Sequence, residues 1–300
     1  MQINMIRSDK VYQEMLELPL EKREGCFRAK ILAPFATKYQ TQHIPLKAKY
    51  PGGFDALFLL GFMNQLPGTL SEKDRPAIDA LSSDQLWQDC QNTIKRSIGL
   101  FEQAGYDLEV EDCHFTILLG NPDKLMLQLN KGYSGDGGIP GYLMLSLLPN
   151  DYTLPRVQAA LAHECNHNVR FQFIKWNQQT TLADWVVSEG LAESFAAELY
   201  GKDLIGPWVT STSSEQLEEI KHVISSQLQL TGMAEMAPYL YGDEIAEIQG
   251  QLPVGMPYAA GYAYGYHLIQ AYLKKTGKSI IEATVTPTAE ILEATKDFWK

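Results

Sequence analysis

The sequence predicts an α+β fold, with a small mixed β-sheet in the middle of the chain between mainly helical N- and C-terminal parts. In the first 110 residues apolar side chains recur every three or four positions, which is the period of an amphipathic helix. The period changes to two in Cys113–Asn121 and Gly141–Asn150, which is typical of β-strands. After Asp151 the helical period returns. We therefore divide the chain into residues 1–110, 111–201 and 202–300.

The N-terminal part gives its clearest signal in the segment 84–103. Apolar residues from Leu86 to Phe101 fall on one face of this segment, and Gly105 follows it, so we predict a helix that packs on the core. Between the two predicted strands, the segment 131–141 contains five glycines. It does not open a helix, which disfavours a phosphate-binding loop. We predict a mobile loop at the rim of a cleft.

Three helices are predicted after Asp151. The first runs from Pro155 in its first turn to about Phe173, with Thr153 as its N-cap. The second extends from near Thr181 to Tyr200 and ends at Gly201, and the third spans residues 258–277 with two lysines in its last turn.

Composition excludes several classes of protein. The 300 residues carry 25 Lys plus Arg against 36 Asp plus Glu, a net charge of −11, so a nucleic-acid partner is not expected. The chain shows no secretory leader and no apolar run long enough to span a membrane. Four dispersed cysteines without a CxxC pair favour reduced thiols in a cytoplasmic protein. The oligomeric state is not determined by these observations.

The most specific motif is His163-Glu164-Cys165-Asn166-His167, an HExxH on the first of these helices. Four residues advance a helix by about 400°, so the two imidazoles lie one turn apart on one face and can bind the same metal ion. Glu164 lies about 100° away, where it can reach a water molecule on that ion. We interpret His163 and His167 as ligands and Glu164 as a general base.

A third protein ligand is needed for a catalytic zinc site, which also keeps one position open. The second helix offers Glu189 and Glu193, four residues apart on one face, among small residues such as Gly190 that allow close approach of the first helix. We favour Glu189 as the ligand and Glu193 as the acceptor that orients a histidine through its other ring nitrogen. The spacing alone leaves the choice between them open. Zn²⁺ is the expected ion, although two histidines and a carboxylate also admit Fe, Co or Mn.

The segments HECNHNVR, SEGLAES and GYAYGYHLIQAYL, within residues 138–275, resemble the YjaZ-like family of predicted zinc-dependent proteases, which belongs with the gluzincins. The resemblance implies a zincin-like (gluzincin) fold with the sheet beside the active-site helix, peptide-bond hydrolysis, and a peptide or protein substrate. It implies a catalytic core in residues 111–201 and a helical lobe in 202–300 that completes the cleft. It also implies that the strand 142–147 edges the cleft, where it could pair with an extended substrate by main-chain hydrogen bonds. The 21 residues between His167 and Glu189 slightly exceed the separation in better-known gluzincins.

The resemblance also directs attention to the third helix. Tyr262, Tyr266 and His267 stand at the family's GYxxGY position, where a donor could stabilise the oxyanion of a tetrahedral intermediate. We favour Tyr262, with His267 as the second candidate. Aromatic residues at helical spacing also suit a packed core, and that alternative stays open.

The sequence thus predicts a zinc metallopeptidase. The alternative is a non-catalytic, metal-stabilised protein that binds a peptide or partner, although a structural site has no need of Glu164. A metal-free helical interaction module is a third possibility. Arg170, three residues beyond His167, either pairs with an acid near the site or lies on the surface.

Overall fold

The computed structural model describes residues 1–299 and combines many helices with a four-stranded β-sheet. This confirms the predicted α+β class. Contacts between residues divide the chain into two compact units, Met1–Arg96 with Leu108–Glu164, and Ser97–Asp107 with the chain from Cys165 onward. The division at residues 110 and 201 stays a prediction. Within residues 1–299, every helix is too short or too polar to cross a bilayer.

The strands and α-helices are the following, in chain order: β1 Gln2–Met5, α1 Ser8–Glu17, α2 Leu20–Phe27, α3 Ala36–Thr41, α4 Ala56–Leu60, α5 Arg75–Leu81, α6 Asp84–Gln103, β2 Asp112–Leu119, α7 Leu125–Leu129, β3 Tyr133–Ile139, β4 Tyr142–Leu147, α8 Val157–Phe173, α9 Leu182–Tyr200, α10 Pro207–Thr210, α11 Ser214–Ser225, α12 Met233–Tyr241, α13 Asp243–Ile248, α14 Ala260–Thr276, α15 Ile280–Val285, α16 Thr288–Ala294 and α17 Lys296–Trp299. Short 3₁₀-helices lie at Ala33–Phe35, Glu72–Asp74, Leu154–Arg156 and Lys202–Leu204. A short π-helix lies at Arg28–Leu32.

The sheet of the first unit has the strand order β1-β2-β4-β3, in which β3 is antiparallel to β4 and the other pairs are parallel. Its central strands β2 and β4 are mostly apolar and mostly buried, as is typical of strands inside a sheet. β1 was not predicted, because four residues at the start of a helical region give too short a pattern to recognise.

The glycine-rich segment 131–141 is not a loop. Most of it is the edge strand β3, and a tight turn with Gly141 at φ 85° joins it to β4. The prediction was wrong because we took glycine as a loop signal, whereas here strand pairing over-rides local propensity. The strand 142–147 was expected to pair with an extended substrate, and this was also wrong, because β4 pairs with β2 on one side and with β3 on the other.

The predicted helices α6, α8, α9 and α14 are all present. The cap of α9 is a reciprocal capping box between Thr181 and Asp184. The predicted cap of α8 was wrong. Asn150 accepts hydrogen bonds from the amides of Tyr152 and Thr153 ahead of that helix, and the Thr153 side chain does not cap the 3₁₀ turn.

Helices α9 and α14 of the second unit contact each other through backbone. A Cβ atom added to Gly190 would lie 2.1 Å from the carbonyl oxygen of Gly265, and one added to Gly265 would lie 2.0 Å from that of Val186. The small residues of α9 were expected to admit α8, but Gly190 faces α14. Glycine is required at both positions because backbone atoms opposite them cannot move aside as a side chain can.

Arg170 of α8 is fully buried. Its guanidinium donates to the hydroxyl of Ser188 at 3.1 Å, to the carbonyls of Thr284 and Thr286 at 2.7 and 3.1 Å, and to the hydroxyl of Thr288 at 3.1 Å. Burial lowers the pKa of Arg170 to about 10, so it stays charged at neutral pH. The alternative that Arg170 lies on the surface was therefore wrong. Arg170 joins α8 to α9, α15 and α16.

Three of the four cysteines lie in the core. Cys90, Cys113 and Cys165 are buried and Cys26 is half-buried. Burial raises the pKa of the Cys90 and Cys113 thiols to about 12, which keeps both protonated at neutral pH. They act as small apolar side chains rather than as nucleophiles.

Replacement of Gly265 by alanine is expected to separate α9 from α14. We expect Gly265→Ala to lower the free energy of unfolding by about 2–3 kcal/mol, because the new methyl group overlaps backbone. The control is Gly99→Ala on α6, where the added Cβ meets only the Gln103 side chain at 3.9 Å. That change should stabilise the protein by up to about 1 kcal/mol. Urea denaturation of both variants measures the difference, and equal effects would contradict the close contact.

Candidate metal centre

The HExxH residues lie in the buried middle of α8. His163 is 4% exposed and His167 is 6% exposed, and both side chains are one turn apart on this continuous helix. Burial of two imidazoles is costly unless polar partners compensate for lost water. A buried histidine pair on one helix face therefore indicates a site with a specific partner.

Glu189 of α9 supplies that partner. Its Oε2 lies 3.2 Å from Nε2 of His167, and its side chain is also buried. His163, His167 and Glu189 each offer one ligand atom, and these atoms lie within 4.8 Å of one another. This group could hold a metal ion.

The donor set fits zinc. Two imidazole nitrogens and one carboxylate oxygen are a ligand combination that zinc takes at catalytic sites. Two atoms bound to one tetrahedral zinc at about 2.0–2.1 Å lie about 3.3–3.4 Å apart. The separation of 3.2 Å between His167 Nε2 and Glu189 Oε2 is close to that value. The positions therefore suit an ion without a large rearrangement of these two side chains.

Glu164 lies against the edge strand β3. A Cβ atom on Gly135 would lie 2.1 Å from Oε1 of Glu164, and one on Gly137 would lie 2.3 Å from its backbone oxygen. These alternate glycines share a face of β3, so the strand meets the helix through backbone. Asp136, which lies between the two glycines, forms an ion pair with the buried Lys38 at 2.7 Å. The sequence analysis missed this role of the glycines, although their spacing of two was visible.

Aromatic rings surround the ligand residues. Phe171 stacks on the His167 ring with centroids 5.6 Å apart and planes at 4°. The Trp185 indole N–H donates to Oε1 of Glu189 at 3.1 Å. The sequence analysis missed both residues. Their spacing of four from His167 and Glu189 is the signal that could have identified them.

Glu193 has a different environment from Glu189. Its Oε1 accepts a hydrogen bond from the Gly206 amide at 2.6 Å, and its Oε2 accepts one from the Trp208 indole at 2.7 Å. Both bonds hold the segment at the start of α10. Orientation of a histidine by Glu193 stays a prediction.

Tyr262 belongs to a group of contacting rings that also contains Trp185, Tyr241 and Trp208, which we call the aromatic cluster. Its ring centroid is 6.2 Å from that of Tyr241 and 6.3 Å from that of Trp208, and its side chain is half-buried. Tyr241 in turn contacts Trp185, which donates to Glu189. Tyr262 is thus linked through rings to both candidate acids.

His267 lies about 140° around α14 from Tyr262. Its ring meets Tyr266 at 5.4 Å, and burial together with the positive charge of Lys221 lowers its pKa. For Tyr266, burial and the Glu193 carboxylate raise the pKa. Tyr262 therefore contacts the aromatic cluster, whereas the pKa of His267 is affected by the positive charge of Lys221 on α11.

Comparison with known proteins points to the same chemistry. The family described as "Predicted Zn-dependent protease (DUF2268)" matches residues 86–293. The chain is 35% identical over 285 residues to the uncharacterized protein YjfC of Bacillus subtilis (strain 168), covering 95% of each protein. It is 26% identical over 155 residues to the uncharacterized protein YjaZ of the same organism, covering 50% of this chain and 55% of that protein. No solved structure matches it significantly.

These matches define the class as predicted zinc-dependent proteases. The chain belongs to the DUF2268 family. The resemblance to YjaZ-like proteins is confirmed, but its extent was underestimated. The family match begins at residue 86, and the similarity to YjfC covers 95% of the chain, so the N-terminal part contributes to it.

The choice of third ligand can be tested by zinc content. We expect Glu189→Ala to lose stoichiometric zinc after dialysis, because it removes an oxygen of the ligand group. Glu193→Ala should retain zinc but unfold more easily. It leaves the Gly206 and Trp208 donors without this acceptor, at a cost of about 1–3 kcal/mol each. Retained zinc in the first variant and loss in the second would reverse the assignment.

Proposed function

We propose that this protein is a zinc-dependent peptidase, with His163, His167 and Glu189 as the zinc ligands and Glu164 as the general base. The observation that supports this proposal is that two imidazoles of α8 and one carboxylate of α9 converge, with Glu164 next to the first histidine. Membership of a family of predicted zinc-dependent proteases supports the same activity. The zincin-like (gluzincin) fold is part of this proposal.

In the proposed mechanism, a bound zinc ion would polarise the substrate carbonyl and make a water molecule more acidic. Glu164 takes a proton from the water that attacks the peptide carbonyl. It then passes that proton to the departing amine, which leaves as a neutral group. Contact with Gly135 restricts the Glu164 carboxylate to the side of α8 that meets β3. This restriction keeps the base in one orientation for both transfers.

The substrate is proposed to be an extended peptide. β3 is the edge strand next to β4, and extended peptides commonly bind to edge strands through backbone hydrogen bonds. The sequence analysis assigned this role to β4, which lies inside the sheet. The net charge of −11 disfavours a nucleic-acid partner. A cytoplasmic location, based on dispersed cysteines, is retained as part of the proposal.

If the protein were only a metal-stabilised binding protein, Glu164 would have no chemical role. A structural zinc site also closes its fourth coordination position with a protein ligand. Among the described residues, the metal-ligand group contains three members. A three-membered group is the pattern of a catalytic centre. Chelator-sensitive cleavage of a peptide library would exclude the binding-only alternative.

Glu164→Gln should abolish catalysis while retaining zinc. The amide has nearly the same shape, so it fits against β3, but it cannot accept the proton. We expect kcat/KM to fall by about 10²–10⁴-fold, measured with a responsive peptide on variant protein of verified zinc content. Glu198→Gln, at an exposed position on α9, is the matched control and should keep full activity. Persistent hydrolysis in zinc-loaded Glu164→Gln would exclude Glu164 as the base.

Tyr262 is proposed as the donor to the oxyanion. Tyr262→Phe retains the ring that packs on Tyr241 and Trp208 but removes the hydroxyl. We expect kcat to fall by about 10²–10³-fold with KM little changed, because the hydrogen bond forms only in the transition state. His267→Gln should have a much smaller effect. A large fall in kcat for His267→Gln with little change for Tyr262→Phe would transfer the role to His267. If neither variant lowered kcat, Tyr262 would serve only as a core residue.

A further inference from the structure

We infer that Trp185 is a positioning residue of the metal centre, whose indole N–H holds Glu189 as a monodentate ligand. This inference rests on the proposed function, because it assigns Glu189 to the metal. It adds a residue that neither the family match nor the HExxH motif identifies. The evidence is the different environment of the two Glu189 oxygens.

The two oxygens of Glu189 face different partners. Oε1 accepts the Trp185 indole hydrogen at 3.1 Å, whereas Oε2 lies 3.2 Å from Nε2 of His167. Oε2 therefore contacts a second candidate ligand residue, and Oε1 contacts the indole. A carboxylate that rotated to bind a metal through both oxygens would change the geometry of the indole hydrogen bond at Oε1. The indole thus selects one oxygen for the metal.

The position of the indole follows from the helix that carries both residues. Trp185 and Glu189 are four residues apart on α9, so their side chains lie on one face one turn apart. Both are buried, with Trp185 8% exposed. A hydrogen bond inside the protein competes with little water and is costly to break.

Neighbouring rings hold the indole in its plane. Trp176 meets Trp185 edge-to-face with centroids 5.2 Å apart, and Tyr241 does so at 5.9 Å. Such perpendicular contacts fix ring orientation as well as ring position. Because the ring cannot turn, its N–H direction is also fixed. The aromatic cluster therefore has a geometric effect on Glu189 beyond filling space.

A packing role and a positioning role make different predictions for Trp185→Phe. Phenylalanine keeps an apolar ring at this site but has no N–H. If Trp185 only packs, zinc affinity should stay unchanged in the folded variant. If it positions Glu189, the dissociation constant for zinc should rise about tenfold to a hundredfold, as is typical when a partner of a metal ligand is removed.

The experiment measures the zinc dissociation constant of the full-length protein by competition with a chromogenic chelator. Trp87→Phe is the matched control, because it removes a buried indole donor that bonds to the Leu81 carbonyl in the N-terminal part, and its zinc affinity should equal that of wild type. Trp208→Phe removes an indole donor from Glu193 and should also leave the affinity unchanged. Weaker binding in Trp208→Phe with normal binding in Trp185→Phe would overturn the inference and transfer the ligand role to Glu193.

The cobalt-substituted protein gives a signature that loss of packing alone would not produce. Without the indole, Glu189 can bind through both oxygens, which raises the coordination number. We expect weaker visible absorption bands in cobalt-loaded Trp185→Phe than in wild type, because five-coordinate Co²⁺ absorbs less than tetrahedral Co²⁺. An unchanged spectrum together with unchanged zinc affinity would overturn the inference.

A measurement on the wild-type protein covers the case in which Trp185→Phe does not fold. In ¹⁵N-labelled protein, the Trp185 indole hydrogen should exchange slowly with solvent and shift when zinc is added. The exposed Trp176 provides the fast-exchanging reference. Rapid exchange at Trp185 with and without zinc would overturn the inference. Failure of wild type to bind zinc would instead refute the proposed function, so the two failures are distinguishable.

Discussion

The candidate centre depends on the approach of α8 to α9 at His167 and Glu189. Two separate helices must bring an imidazole nitrogen and a carboxylate oxygen to 3.2 Å inside the protein. Arg170 stabilises this register from the next turn of α8, because it donates to Ser188 immediately before Glu189. Its other bonds reach α15 and α16, so the C-terminal helices also restrain α8. A small shift between α8 and α9 would separate the two ligands long before the protein unfolds.

The elements that carry the chemistry were predictable because they depend on local sequence. The helical repeat alone places His163 above His167, and the capping box of Thr181 and Asp184 defines the start of α9. The edge strand β3 was not predictable in this way. A strand containing Gly135 and Gly137 has low intrinsic β propensity, and it forms because it pairs with β4 at one edge and packs one face against α8. Only long-range contacts contain that information.

The surroundings of the candidate ligands were harder to predict than the candidate ligands themselves. Aromatic residues at helical spacing usually indicate a packed core, and Trp185 and Trp208 are indeed buried. Their polar N–H groups nevertheless bind two different acids that share a face of α9, Trp185 donating to Glu189 and Trp208 to Glu193. Glu193 uses both oxygens to hold the segment before α10, whereas Glu189 keeps one oxygen next to His167. Spacing could not separate these two glutamates, because they differ in tertiary partners and not in position along the helix.

The chemical nature of these donors matters as much as their position. A buried carboxylate needs compensation for lost water, and an arginine or lysine would provide it by charge. Such a cation next to Glu189 would also cancel the negative charge that attracts a metal ion. The Trp185 indole is a neutral donor, so it reduces the cost of burial and leaves the charge in place. The nearby guanidinium of Arg170 donates to hydroxyl and carbonyl oxygens instead. The Trp185 indole therefore compensates the buried Glu189 carboxylate for lost water without adding positive charge, which suits its proposed role as a ligand of a divalent cation.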